Sequence, residues 1–417
     1  MDIIIKYSLY GIVNAAMNIA FVNPEFPSPS GHDQGGIATY TYSMANACAR
    51  NGHRVHILVK RGTIPKQLSP DVAVDAFDHI PLPDSVRWFS RFINGETAWE
   101  RGYSWGLRQK LLELHEIDPI DIVEVPEYNG LAYELAPPLP FPIIIHFHTP
   151  TVLVDFFNAQ KNTRRHKKWH LFEAKALDHA FAFRCPSSAL KMEICKRYAI
   201  PENRITLIRH PFDTTPFDSI KKHACTQDVI DVLFVGRLER RKGAEILRRE
   251  ILPILSLDPR MRITIAGEST IGDMGIYRNA IERSLSEHDR KRIFFLGPTK
   301  REELPALYCR SDIFCIPSLF ENAPYSLLEA MAAKLPIIGS RCGGIPELIS
   351  HGENGLLFNP ENPDEIVNCI KQLVVNRGKA AEFARNSYAT LKNLCSPDTI
   401  ARTVIDYYQA KLLDFRS

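Results

Sequence analysis

An α/β fold with two parallel sheets is predicted by three features of this 417-residue chain. Short β-rich apolar runs alternate with longer helical patterns, the order expected when each strand is followed by a crossover helix. The alternation stops near the middle, in a turn-rich segment, and then restarts. A 45% hydrophobic content over this length also exceeds what one core usually organises.

Along the first half, the strands are NIAFVN, RVHILVK, DIVEVP, PIIIHFH, FAFRCP and RITLIRH, with helical patterns at Ile37–Asn51 and Trp105–Leu114. The break lies within Phe212–Gln227, where PFDTTPFDSIKKHACTQ carries turn residues and charge without a sustained period. The second half restarts at VIDVLFVGRL and continues with RITIAG, RIFFLG, IFCIPS and PIIGSR. Residues 17–215 and 216–397 are thus expected to form two domains flanking a cleft. The last helical pattern, Thr399–Leu412, is expected to cross back, so that a helix over 398–417 joins the first domain. No solenoid repeat is present.

The formal charge of +3 is too mild for a nucleic-acid partner, and no basic stretch is interleaved with aromatics. Nine cysteines, an odd number without a CxxC pair, read as reduced and buried thiols of a cytoplasmic protein. The apolar stretch Tyr7–Val22 is interrupted by Asn14 and Asn18 and is shorter than the roughly 18 residues that span a membrane. A folded start at Met17, with residues 1–16 as an extension, is preferred to a secretory signal beginning at Lys6.

The densest chemistry lies in PSLFENAPYSLLEAMAAKLPIIGS, from Pro317. Here a strand ends, Asn322 is expected to cap a helix, Pro324 suits its first turn, and Leu335-Pro336 stops it. Glu321 and Glu329, eight residues apart, would be about 12 Å apart at helical rise. One ligand of nucleotide-sugar size would touch both. The helix-start amides around Asn322, Ala323, Pro324, Tyr325 and Ser326 would lie between them, where a diphosphate gains from the positive end of the helix dipole. Glu329 sits in the apolar run LLEAMAA, where an unpaired carboxylate is costly to bury.

The segment Ser318–Ala332, with Glu-x7-Glu followed by Ala-Met-Ala, resembles the signature of glycosyltransferase family 4, the retaining group 1 enzymes of the GT-B fold. VGRLERRKG, IAGES and FFLGP precede it in the family's order, and PIIGSRCGGIPELISHGENGLLFNPENPDEI, with Gly343-Gly344 and Glu347, follows. The resemblance implies two Rossmann-like domains facing a central cleft. It also implies that Glu321 meets the transferred sugar and faces the reacting carbon, while Glu329 holds the nucleotide ribose. Carboxylates suit both tasks, since each accepts two hydrogen bonds from a vicinal diol. The commonest form of the signature has glycine where Pro324 stands.

By the same resemblance, Arg237 and Lys242 of GRLERRKG lie against the diphosphate, while Arg240 and Arg241 are expected only to line a solvated face. His146 and His148 alternate on one side of a strand, which raises a metal site, but no third ligand is apparent. The family's histidine beside the donor sugar matches His148, and His146 is expected to be a packed residue. With no Asp-x-Asp in the chain, the chemistry is expected to need no metal and no cofactor. Gly35 and Gly36, opening a helix, would let backbone amides approach the diphosphate. GxGxxG is missing there, and the second strand ends in Lys60 and Arg61, which speaks against a dehydrogenase.

For the acceptor, Glu124–Ala132 and Trp88–Trp105 are expected as walls of the cleft. The run Lys161–His170 reads as a solvated helix face, with contact to an anionic membrane as the alternative. The expected activity is transfer of a sugar from a UDP- or GDP-sugar to a glycan, lipid-linked sugar or small-molecule acceptor, with retention of configuration. In this family the donor's own phosphate is thought to take the acceptor proton. A nucleotide-sugar 2-epimerase and a non-catalytic nucleotide- or glycan-binding subunit stay open as alternatives.

Overall fold

Two wholly parallel sheets organise the chain in a computed structural model, which describes residues 16–24, 35–60, 68–82, 97–161, 163–220, 228–267 and 275–417. Residues 1–15, Trp88, the loop residues before Gly35, part of the mid-chain break and Glu268-Ser269 of IAGES lie outside the described residues.

The first sheet begins with β1 (Asn18–Asn23), β2 (Arg54–Lys60), β3 (Val72–Phe77) and β4 (Ile122–Pro126). It is completed by β5 (Ile143–His146), β6 (Ala182–Cys185) and β7 (Ile205–Leu207), in the order β3-β2-β1-β4-β5-β6-β7. The second comprises β8 (Ile230–Val235), β9 (Met261–Ala266), β10 (Ile293–Gly297), β11 (Ile313–Ile316), β12 (Ile337–Ser340) and β13 (Leu356–Phe358), ordered β10-β9-β8-β11-β12-β13. In each sheet the first strand lies inside and the order reverses beside it, which puts the crevice for a ligand at the carboxyl ends of the strands.

Central strands are buried on both faces, as all six residues of β1 and all four of β11 are, and this requires runs with few polar interruptions. In the edge strand β3 only Val72 and Phe77 are buried, in the cores on opposite faces of the sheet. β13 has just three residues. The sequence reading missed both. It also extended β5 to His148, whereas the strand ends at His146 and leaves His148 in the following loop.

The carboxy-terminal helix Pro397–Arg416 returns to the first sheet. Its Ile400, Ala401, Val404 and Tyr408 share a core with Ile19, Phe21, Met44 and Ile57, and the Tyr407 hydroxyl donates to Phe183 O at 3.2 Å. Met17, at the entry to β1, is buried, and its amide donates to His53 Nδ1 at 3.0 Å. Among the described residues no helix is long and apolar enough to cross a membrane. The eight described cysteines are free, six of them buried.

Candidate donor site

Glu321 follows β11 in a non-helical segment that bends at Asn322 and Ala323 and is packed against from outside. The Gly344 amide donates to Glu321 O at 2.7 Å. A Cβ on Gly343, whose φ is +56°, would fall 2.0 Å from that same oxygen, and one on Gly344 would fall 1.8 Å from Asn322 O. The two glycines thus let a second backbone press against the Glu321-Asn322 peptide, a contact no side chain would permit.

The helix starts later than expected. It covers Tyr325–Ala332, with Pro324 in extended conformation at the capping position and no side-chain cap. Asn322 is therefore not the cap. Its Nδ2 donates to Thr149 Oγ1 of the first half at 3.2 Å, and its Oδ1 turns to the Ala323 amide. Leu327 N and Leu328 N turn back to Pro324 O, at 3.0 and 3.3 Å. The amides of Tyr325 and Ser326, ahead of them, have no intrahelical acceptor, which suits an anion.

Glu321 is buried, at 4% exposure. Its Oε1 accepts from Lys242 Nζ at 2.6 Å and from Ser318 Oγ at 2.9 Å, while Arg241 stands 3.7 Å from Oε2. Burial alone would raise its carboxyl, but Lys242 and Arg241 outweigh burial and hold it below the usual range. Burial conversely lowers Lys242, against the pull of Glu321.

Lys242 reaches Glu321 because Gly243, at φ +82°, turns the chain tightly against Pro317, where a Cβ would lie 2.1 Å from the carbonyl oxygen. Arg237 is an exposed cation of the same loop. It is 54% exposed and stands 3.4 Å from Glu239.

Arg241 corrects the sequence reading. It is 5% exposed and donates to Glu239 Oε1 at 2.7 Å rather than facing solvent. Glu239 also accepts from Asn158 Nδ2 at 3.3 Å, and Asn158 Oδ1 accepts from Arg241 N at 2.8 Å. Arg240 donates to Phe157 O at 2.8 Å, and the Phe157 and Phe320 rings stack at 4.6 Å. The cationic loop is thereby fastened to the end of the helix Thr151–Phe157, across the cleft. Asn158 and Glu239 had no sequence signal, because their meaning depends on the two halves meeting.

Glu329 is partly buried and accepts from the Tyr308 hydroxyl at 2.8 Å. Removal from water pushes its carboxyl up to about 7, with Tyr308 and Arg301 pulling the other way. Across the cleft, Gly35 caps and Gly36 opens the helix Gly36–Arg50, and a Cβ on Gly36 would touch the Tyr325 ring at 3.7 Å. Arg301 donates to Thr39 Oγ1 at 3.2 Å, and Glu347 accepts from Ala189 N at 3.0 Å.

On the first sheet, His148 N donates to the Glu127 carboxylate at 3.0 and 2.9 Å. Burial pushes the His148 imidazole down to about 3, and His146 and His210 are likewise held well below the usual range by burial, so all three rings are neutral. His210, just beyond β7, is the third histidine that the sequence reading did not find. RITLIRHP placed it at a strand end, but only the sheet order brings that end beside His146.

Glu124 is not a wall of the cleft either. It is buried and accepts from Arg184 at 2.9 Å, from Tyr40 at 2.6 Å and from Tyr408. The basic run forms the helix Arg164–Ala176, capped by Thr163, with Arg164, Arg165 and Lys167 exposed.

Beside the site, Arg209, His210, Asn322, Ala323 and Gly344 line a small opening between the halves. The arrangement offers a fixed carboxylate, a lysine, an exposed arginine and free helix amides around one opening. That is a set able to hold a polyol on one side and a polyphosphate on the other.

Comparison with known proteins gives two contiguous family matches. Residues 34–216 match the model described as Glycosyltransferase Family 4, and residues 217–390 match Glycosyl transferases group 1. An uncharacterised glycosyltransferase of Methanocaldococcus jannaschii is 26% identical over 408 residues, which is 94% of this chain and 98% of that protein. A D-inositol 3-phosphate glycosyltransferase of Corynebacterium efficiens is 25% identical, covering 86% of this chain and 88% of that one. Among solved structures, sucrose-phosphate synthase of Thermosynechococcus elongatus superposes with a TM-score of 0.77 at 19% identity, over 96% of this chain and all of the other. Anabaena HepE in complex with UDP and glucose gives 0.72 at 18% identity, over 94% of this chain and 100% of its own.

Proposed function

From the premise that this chain belongs to the group 1, family 4 glycosyltransferases, with the GT-B fold, we propose that it transfers a sugar from a nucleoside diphosphate sugar to an acceptor hydroxyl with retention of configuration. The observation that carries the reading is the buried Glu321 carboxylate, held by Lys242 at 2.6 Å one turn before the free amides of a helix start.

In this reading the diphosphate lies over the Tyr325 and Ser326 amides, with Ala323 and the Gly35-Gly36 turn alongside. Lys242 leaves Glu321 for the phosphate as the glycosidic bond breaks, and the exposed Arg237 swings in beside it, so positive charge tightens on the leaving group as it develops. Glu321, released, accepts from the sugar hydroxyls. Neutral His148 acts from the opposite wall, and Glu329 accepts from the ribose diol. The acceptor proton passes to the departing phosphate on the same face, so no protein base and no metal ion is needed.

Residues 17–215 with the helix over 398–417 form the acceptor side in this proposal, and 216–397 the donor side. The crossing contacts of Asn158, Asn322 and Glu347 are those of a closed cleft that keeps water from the sugar.

Uridine is the first base to test, since the HepE structure was solved with UDP and glucose. In a thermal-shift panel of UDP, GDP, ADP and their sugars, a nucleotide at 100 times its Kd adds about 2.7 kcal/mol. One base is expected to shift the melting point, and transfer from its sugar is expected to give a product whose anomeric coupling in NMR equals that of the donor. No shift with any nucleotide would overturn the donor site, and an inverted coupling would overturn retention.

A further inference from the structure

We infer that His146, His148 and His210 form a binding site for one zinc-class divalent ion, set in the wall of the cleft and inhibitory to transfer. One ring nitrogen from each of the three buried histidines lies within 4.8 Å of the other two. The Nε2 atoms of His146 and His210 stand 3.3 Å apart. Two imidazole nitrogens bound tetrahedrally to zinc at about 2.0–2.1 Å are about 3.3 Å apart by geometry alone. The spacing already present is that of two ligands on one ion.

The sheet order builds this trio. His146 ends β5, His148 follows it in the loop, and His210 lies beyond β7 on the far side of β6, so strand ends two places apart in the sheet deliver the three rings to one point. The rings are fixed by packing. Tyr40 meets His146 edge-on at 4.4 Å and His148 at 5.2 Å, while Tyr325 stacks on His210 at 5.6 Å.

Behind His146, Glu124 Oε1 lies 3.3 Å from Nδ1, off the line of a hydrogen bond. Were the ring to turn that nitrogen into line, the carboxylate would take its N–H, the arrangement that fixes the tautomer of a liganding imidazole and raises its basicity. The Arg184 guanidinium acts on all three rings, and its pairing with Glu124 at 2.9 Å compensates it, so an incoming ion does not meet a bare charge there. A hydrogen bond between His146 and His210 would account for one pair of nitrogens only, and it leaves His210 Nδ1 buried without a partner.

Three imidazoles without a carboxylate or thiolate select zinc, copper or nickel over magnesium, calcium or manganese, and a fourth position stays open. An ion bound here takes a nitrogen of His148, so zinc and the productive donor compete for that residue. The inhibition rests on the proposed role of His148 in transfer, whereas binding of the ion does not.

The full chain, stripped with EDTA, is titrated with zinc against a chromophoric chelator and separately with cobalt(II), whose visible bands report tetrahedral coordination. One ion per chain is expected, with an intense cobalt spectrum. In His210→Asn and His146→Asn the affinity is expected to fall at least about 10-fold, while His288→Ala, at an exposed position, keeps it. Zinc is expected to suppress transfer and EDTA to restore it. Unchanged zinc affinity in a His210→Asn chain with native melting temperature, or a cobalt spectrum without tetrahedral bands, overturns the site. If zinc binds as stated but does not slow transfer, the inhibitory role is overturned. Failure of every donor to react would instead strike at the transferase reading and leave the titration intact.

Discussion

Lys242 Nζ donates to Glu321 Oε1 at 2.6 Å, so the lysine proposed for the diphosphate and the carboxylate proposed for the sugar are each other's partner before either meets substrate. A buried pair of this kind stabilises little as a pair, but removing one member leaves the other charged and out of water. Lys242→Met is expected to cost about 3–5 kcal/mol, measured by chemical denaturation. Glu321→Gln keeps the shape and frees the lysine. Because it also leaves Lys242 without its counter-charge, it is expected to lose stability, as Lys242→Met does. Where folded, it is expected to bind the nucleotide within a few-fold of the parent, yet lose transfer by about 10²–10³ in kcat. A Glu321→Gln enzyme with undiminished kcat would end the assignment.

Glu329 makes nucleotide affinity depend on pH near neutrality. Removal from water raises its carboxyl to about 7, so below that pH it carries a proton and accepts fewer hydrogen bonds from a ribose diol. Affinity is expected to rise as pH increases through about 7, because only the ionised form accepts from both hydroxyls. Calorimetric titration of UDP between pH 6 and pH 8 reads this, and in Glu329→Gln the pH dependence is expected to vanish along with about 1.5–3 kcal/mol of binding.

Much of this was legible in sequence because it is local. The apolar runs of β1, β4 and β11, and the glutamates flanking Pro324, declare themselves within a dozen residues. What was not legible depends on distant segments meeting. Arg241 looks like one more charge in ERRKG until Asn158 and Glu239 enclose it. His210 looks like an isolated strand-end histidine until the order β5-β6-β7 sets it beside His146. Asn322 has the composition of a helix cap, but the Gly343-Gly344 backbone packs against its peptide and the helix begins only at Tyr325. β3 was missed for another reason, since this edge strand buries only Val72 and Phe77, on opposite faces, and leaves VAVDAF without a sustained apolar pattern.

Asn158 ties the cationic loop to the first domain through Arg241 N at 2.8 Å and Glu239 at 3.3 Å. Asn158→Ala removes both bonds from the closed arrangement and touches neither proposed substrate. The loss of about 1–3 kcal/mol for one neutral and one charge-assisted bond corresponds to a fall of about 5-fold to 150-fold in kcat/KM. Small-angle scattering is expected to show a larger radius of gyration for the variant without nucleotide. An unchanged scattering curve together with unchanged kcat/KM would show that these contacts do not hold the cleft shut.

Glu127, which holds the His148 amide, ties stability to pH. Burial, only partly countered by backbone amides that donate to it, raises its carboxyl from 4.5 to about 8. The folded chain therefore keeps a proton that the unfolded chain releases above about 4.5. A group with this sign adds stability that is complete below the unfolded value and is lost as pH rises through the folded one, at up to about 1.4 kcal/mol per pH unit. Glu173 nearby, raised to about 7 by burial, acts in the same direction. The melting temperature is thus expected to fall between pH 6 and pH 9, and Glu127→Gln, which is neutral throughout and keeps a carbonyl acceptor for His148 N, is expected to flatten that slope. If the variant melts with the parent's pH dependence, the proton resides elsewhere and the amide of His148 is held by a carboxylate that is ionised in the folded protein.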